Sequence, residues 1–254
     1  MTDSATRTTG KGGSEIAKLS LPRRAMVRAM VESAAVPTFY LRVTAEVAEL
    51  VAARQALRGD AEWAGRVPTL NDFVVRAAAL ALREHPHVNS AFADGEVATY
   101  ERVNVGVAIA VPGGLVAPAV YDADAKDVGA IAADVRELAD LAAARRLSKD
   151  VLADATFTVS NLGMFGIEDF DPVLNPPQAA ILGVGAAMGG AATPTGERRT
   201  MKLTLGCDHR VLTGAEAAPF LLAVRDRLQD PEELRLPSTP VQGTQPPGGE
   251  TPWA

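Results

Sequence analysis

The sequence predicts an α/β domain in which helices cover a mixed β-sheet, and three observations carry that expectation. Segments with apolar residues at helical spacing alternate with short apolar or alternating runs, the order expected when helices pack on a sheet. The 254 residues are 47% hydrophobic, enough for one large core. No linker or repeat interrupts residues 15–236, so one domain is expected there, between an N-terminal tail (1–14) and a Pro/Gly-rich tail (237–254), both disordered.

Taken in order, Pro22 opens a helical pattern with Met26, Val27, Met30 and Val31 on one face, and Pro37 ends it. Thr38–Thr44 reads as a strand. Helices are expected over Ala45–Leu57 and Asn71–Glu84, the second with Phe73, Val74, Ala77 and Leu80 inward. His85 and His87 fall in a loop at its end. Strand-like runs follow at Glu96–Tyr100, Val103–Val111 and Leu115–Val120, the last two divided by Pro112-Gly113-Gly114. The clearest helix is Asp127–Arg145, where Val128, Ile131, Val135, Leu138 and Leu141 recur at spacings of three and four. Ala155–Ser160, Ala179–Val184 and Met201–Leu205 are short strand-like runs. A final helix follows Gly214, from Ala215 to Leu228.

Composition narrows the function. The 25 basic and 31 acidic residues give a net −6, spread along the chain, which argues against nucleic-acid binding and against a polybasic membrane anchor. Met1–Ser14 lacks the apolar core of a signal peptide, and no apolar run reaches membrane-spanning length. A cytoplasmic protein is expected. One cysteine, Cys207, excludes an intramolecular disulfide, and three histidines make a metal centre improbable, so no metal is expected.

Two positions stand out chemically. His209 lies just past a strand in Cys207-Asp208-His209-Arg210, and a neutral imidazole there suits proton abstraction near neutrality. A structural histidine satisfied by Asp208 is the commoner case for such a position. Ser160-Asn161-Leu162-Gly163 follows another strand. Its serine is equally consistent with a nucleophile, a donor to an oxyanion or a turn former. No G-x-S-x-G elbow and no phosphate-binding glycine loop is present.

Together, Thr156–Ala186 (TFTVSNLGMFGIEDFDPVLNPPQAAILGVGA) and Leu203–Leu221 (LTLGCDHRVLTGAEAAPFL) resemble the catalytic domain of the dihydrolipoyl acyltransferases of 2-oxo acid dehydrogenase complexes. LSLPRRAMVRAMVES, LNDFVVRAAALAL and VNVGVAIAVPGGLVAPAV extend the match, which covers about Lys18 to Asp230. The resemblance implies a chloramphenicol acetyltransferase-like fold and a homotrimer with active sites between subunits. It implies His209 as the general base and Ser160 as the hydroxyl that meets the oxyanion from a neighbouring subunit. Asp208, Arg210 and Asn161 become positioning residues, and acetyl-CoA or another acyl-CoA becomes the co-substrate. The residues that hold CoA carry no motif of their own.

Three departures from the family pattern shape the expected function. Thr213 stands where the family commonly has an acidic residue that pairs with an arginine, here matched by Arg23; that salt bridge is expected to be absent. About 17 residues precede the matching region, without a lipoyl module, so no lipoyl group attached to this chain is expected. A polar tail stands where large assemblies use an apolar C-terminus, so a free trimer is expected. The first expectation is therefore a stand-alone acyltransferase that moves an acetyl or other small acyl group from CoA to a hydroxyl. The acceptor is expected to be a small natural-product intermediate, such as a hydroxymethyl tetronate, free or carrier-linked. The alternatives are a dihydrolipoamide acyltransferase core that uses a lipoyl domain on another chain, and a catalytically idle structural trimer.

Overall fold

The computed structural model describes residues 5–9, 12–16 and 18–234, apart from 61–62, 64–65, 113 and 194–195. The order is β1 (Ala5–Thr9), β2 (Gly12–Ile16), α1 (Leu21–Ala34), β3 (Thr38–Glu46), α2 (Ala48–Leu57), α3 (Leu70–Glu84), β4 (Ser90–Ala93), β5 (Glu96–Thr99), β6 (Val105–Val107), β7 (Ile109–Val111), β8 (Gly114–Val116) and β9 (Ala119–Val120). Then come α4 (Val128–Ala143), α5 (Lys149–Ala153), β10 (Phe157–Asn161), β11 (Ala180–Val184), β12 (Met188–Thr193), β13 (Gly196–Asp208) and α6 (Gly214–Gln229).

The main sheet is mixed, as expected. β10 runs parallel to both β11 and β6, while β11–β13, β13–β3 and β6–β9 are antiparallel. β13 carries β3 along one edge and β11, then β12, along the other. β11 is buried at all five positions, and Leu182, Leu203 and Leu205 form the centre of the core. Burial also pushes the Cys207 thiol up to about 12.

Helix α3 fills the middle of one face. Thr69 caps it in a reciprocal box with Asp72, and Asp72–Ala79, Ala81 and Leu82 are all buried. Alanines at 77–79 and 81 let α4 and α6 pack closely, so the helix is covered almost all round rather than on one stripe. Leu80, expected inward, is partly buried and packs against the core. Even Arg76 is buried there, donating to the carbonyls of Ala123 and Asp124.

Several expectations need correction. Residues 5–9 and 12–16 pair as an antiparallel ribbon where a disordered tail was expected; the threonines at 6, 8 and 9 favour a strand, and glycines 12 and 13 begin the return. The expected tail 237–254 lies outside the described residues. β3 continues to Glu46, and α2 starts only at Ala48, because Ala45 and Glu46 pair with Met201 and Thr200. The run 103–111 divides into β6 and β7, and 115–120 into β8 and β9; β7 and β8 form their own hairpin. β4 was missed altogether. The apolar face of α1 leaves Val27, Met30 and Val31 exposed within one protomer, where the helix packs mainly against β8.

Candidate active site

The turn after β13 carries His209. Asp208 closes the strand at 2% exposure, and Arg210 clamps its carboxylate: Nη2 donates to Oδ2 at 2.7 Å, and Nε to Oδ1 at 3.0 Å. The Arg210 backbone N–H also donates to Oδ1, at 2.9 Å. The Asp208 carbonyl accepts from the N–H groups of Val211 and Leu212, which tightens the turn. On its far side the Arg210 guanidinium lies 4.1 Å from the Phe92 ring centroid. His209 is exposed on this turn and donates its backbone N–H to the Pro37 carbonyl at 2.9 Å.

The clamp is a stability element with a measurable effect. Arg210→Met keeps an apolar body on Phe92 but leaves a buried carboxylate without its main donors. We expect unfolding free energy in urea to fall by about 2–3 kcal/mol. A fall below about 0.5 kcal/mol, the scale of an ordinary surface change, would show that the clamp contributes nothing.

Ser160 is half-buried near the end of β10, opposite Gly183 of β11. The next residue fixes the loop beyond it. Asn161 Oδ1 accepts the Gly163 N–H at 2.8 Å, and its Nδ2 donates to Asn71 Oδ1 at 3.0 Å, tying the loop to the first turn of α3. The segment after it folds back over the end of β11. A Cβ on Gly185 would lie 2.0 Å from the Glu168 carbonyl oxygen, so only glycine allows the crossing. Met164, Phe165 and Ile167 stand exposed beside it.

Within one chain the two candidates do not meet. Ser160 is level with Gly183, and Gly183 with Thr204 on β13. His209 lies five residues beyond Thr204, about 16 Å along the strands, and two strand spacings, about 10 Å, across them. The serine is at one end of the sheet and the histidine at the other.

Thr213 is the N-cap of α6. Its hydroxyl accepts from the Glu216 N–H and donates to Glu216 Oε2 at 2.8 Å, while the Thr213 N–H also donates to that oxygen at 2.8 Å. These bonds hold the Glu216 carboxyl below its usual range. The sequence signal was legible as Thr-x-x-Glu before a helix. Arg23 is exposed in the first turn of α1, and no bond links it to Thr213 among the described residues. The two other histidines do more than end a helix: His85 caps α3 and packs its ring edge-on to Phe220, and His87 Nε2 lies 3.1 Å from the Glu216 carbonyl. Asn71 and Phe92 escaped the sequence reading, since neither carries a motif.

A family model described as 2-oxoacid dehydrogenases acyltransferase (catalytic domain) matches residues 11–236. The chain belongs to that family. Curated relatives of this acyltransferase chain include component 2 of the mitochondrial pyruvate dehydrogenase dihydrolipoyllysine-residue acetyltransferase of Arabidopsis thaliana. It is 40% identical over 208 residues, 79% of this chain and 39% of that protein. The corresponding component of Rhizobium meliloti is 36% identical over 217 residues, 82% of this chain and 48% of that protein. The chain thus spans less than half the length of either.

Among solved structures, the acyltransferase superposes on the dihydrolipoamide acetyltransferase of Azotobacter vinelandii with a TM-score of 0.82 at 31% identity, covering 88% of this chain and 95% of that one. That protein was studied for the roles of a serine, a histidine and an asparagine in its catalytic mechanism, the last two four positions apart. Chloramphenicol acetyltransferase matches at a TM-score of 0.50 and 16% identity, over 82% of this chain and 96% of that one, which establishes the shared fold. Among the described residues no helix is long and apolar enough to cross a membrane, and no cluster of three metal-ligating side chains is found.

Proposed function

We propose that this chain transfers an acyl group between coenzyme A and the thiol of a dihydrolipoyl group, at sites formed between neighbouring subunits of a trimer. The observation that carries the reaction is the 40% identity to a dihydrolipoyllysine-residue acetyltransferase. It favours the lipoyl acceptor over the hydroxyl acceptor that the sequence put first. The trimer is supported by the separation of His209 from Ser160 within one protomer, and by the uncovered apolar residues of α1 and of the loop after Ser160.

In this mechanism the His209 imidazole takes the proton from the attacking S–H as sulfur bonds to the thioester carbonyl carbon. Ser160 of the adjacent subunit donates its hydroxyl hydrogen to the oxyanion that develops. Collapse of the tetrahedral intermediate breaks the other C–S bond, and the imidazolium returns its proton to the departing thiolate. No acyl-enzyme forms, and the same residues serve both directions. Asp208 and Arg210 hold the turn of the base, and Asn161 holds the loop of the donor.

One observation favours a second reading. Thr213 sits four positions after His209, the spacing at which the Azotobacter vinelandii protein has its asparagine, and its hydroxyl is engaged in capping α6. A changed side chain four positions from the base fits a changed acceptor, such as a hydroxyl on a small molecule. Purified protein with acetyl-CoA should produce S-acetyl-dihydrolipoamide and free CoA, separated by chromatography, when given dihydrolipoamide. Turnover with small alcohols, hydroxymethyl tetronates among them, and none with dihydrolipoamide would replace the first reading with the second.

A further inference from the structure

His209 reaches the crest of its turn with a ring that the Asp208–Arg210 clamp does not touch. The clamp acts on the backbone and on the neighbouring side chains. What meets the imidazole is Phe39: the two ring centroids are 4.7 Å apart and their planes are tilted by 54°. Strand pairing explains the contact. Phe39 lies opposite Cys207 in the β3–β13 ladder, and His209 is two residues beyond Cys207, so all three share one face of the sheet. The Pro37 carbonyl holds the His209 N–H, which continues the pairing past the end of β13. Phe39 is itself half-buried and packs against the core, so its ring is a fixed surface rather than a mobile neighbour.

We propose that Phe39 is the positioning residue for the base, a wall that selects one rotamer of the His209 ring; this rests on the reading of His209 as the base. An exposed imidazole otherwise samples several staggered orientations about χ1 and two about χ2. A tilted aromatic contact at this distance disfavours those that leave Phe39. The sequence offers no signal for this role, because 170 positions separate the two residues.

Phe39→Leu fills similar space on a half-buried strand, and Phe39→Tyr keeps the ring. With acetyl-CoA and dihydrolipoamide, the leucine variant is expected to lose about tenfold in kcat with little change in the KM for acetyl-CoA, while the tyrosine variant keeps wild-type kcat. Both should retain the wild-type unfolding midpoint and oligomeric state. Independently of turnover, the His209 ring protons should show an upfield ring-current shift in the wild-type NMR spectrum that disappears in Phe39→Leu, with assignment from His209→Ala. Wild-type kcat in the leucine variant, or an equal loss in the tyrosine variant, overturns the proposal, as does an unchanged His209 shift. Should His209→Ala itself keep full turnover, the base reading fails, and the ring-current shift still decides whether Phe39 holds the ring.

Discussion

His209→Ala is expected to lose about 10³-fold in kcat while the protein keeps its fold and its oligomeric state. The imidazole is exposed and contributes one ring contact within the protomer, so its loss leaves the core untouched. The turn around it is held by Asp208 and Arg210, which do not need the histidine side chain. A steady-state assay beside size-exclusion chromatography separates the two effects. Full activity in this variant would refute the assignment of the base. Loss of activity together with loss of the oligomer would assign His209 a structural task instead.

Ser160→Ala is expected to lower kcat by about 10²–10³-fold and to leave the KM for acetyl-CoA almost unchanged, because the hydroxyl acts on charge that exists only as the bond forms. A parallel rise in KM would mark Ser160 as a ground-state contact. The two variants together test the architecture. If each site takes its histidine from one subunit and its serine from another, oligomers assembled from equal amounts of His209→Ala and Ser160→Ala chains should regain about one quarter of the wild-type sites. If each site lay within one chain, every site would lack one group and mixing would restore nothing. The predicted recovery is large because neither parent contributes a complete site.

Local signals were legible in the sequence where one short segment decides the outcome. The periodicity of Val128, Ile131 and Leu138 announced α4, and the strand-like runs at 155–160 and 179–184 became β10 and β11, with bounds shifted by one or two residues. β4 was illegible because Ser90–Ala93 is four residues long and owes its place to pairing with β5 and to the Phe92 N–H bond with the Pro177 carbonyl. β13 reaches back from the apolar run at 201–205 to Gly196 because its partners, β12 and β3, impose the extension. The same distinction holds at the site. Asp208-His209-Arg210 and Ser160-Asn161 can be read along the chain, but their placement at opposite sheet ends depends on β10 and β11 being parallel and β13 antiparallel to both. Strand direction has no local signature. Asn71 meets Asn161 across 90 positions, a contact only the fold creates. Thr213 shows the opposite case, since its capping signature was present in the sequence while only its missing charge was read.

The burial of Cys207 has a consequence for the proposed thioester chemistry. Acyl groups exchange readily between sulfur atoms, and an enzyme thiolate near the reacting centre would divert them onto the protein. This chain has a single sulfhydryl, two residues from His209 and fully shielded from solvent. With its thiol pushed up to about 12, only about one part in 10⁴ is ionised at pH 8. Under the proposed reaction, the folded protein is therefore expected neither to intercept the acyl group nor to form intermolecular disulfides on exposure to air. Denaturation releases one titratable thiol per chain, so the same residue that stays silent during turnover counts the enzyme afterwards.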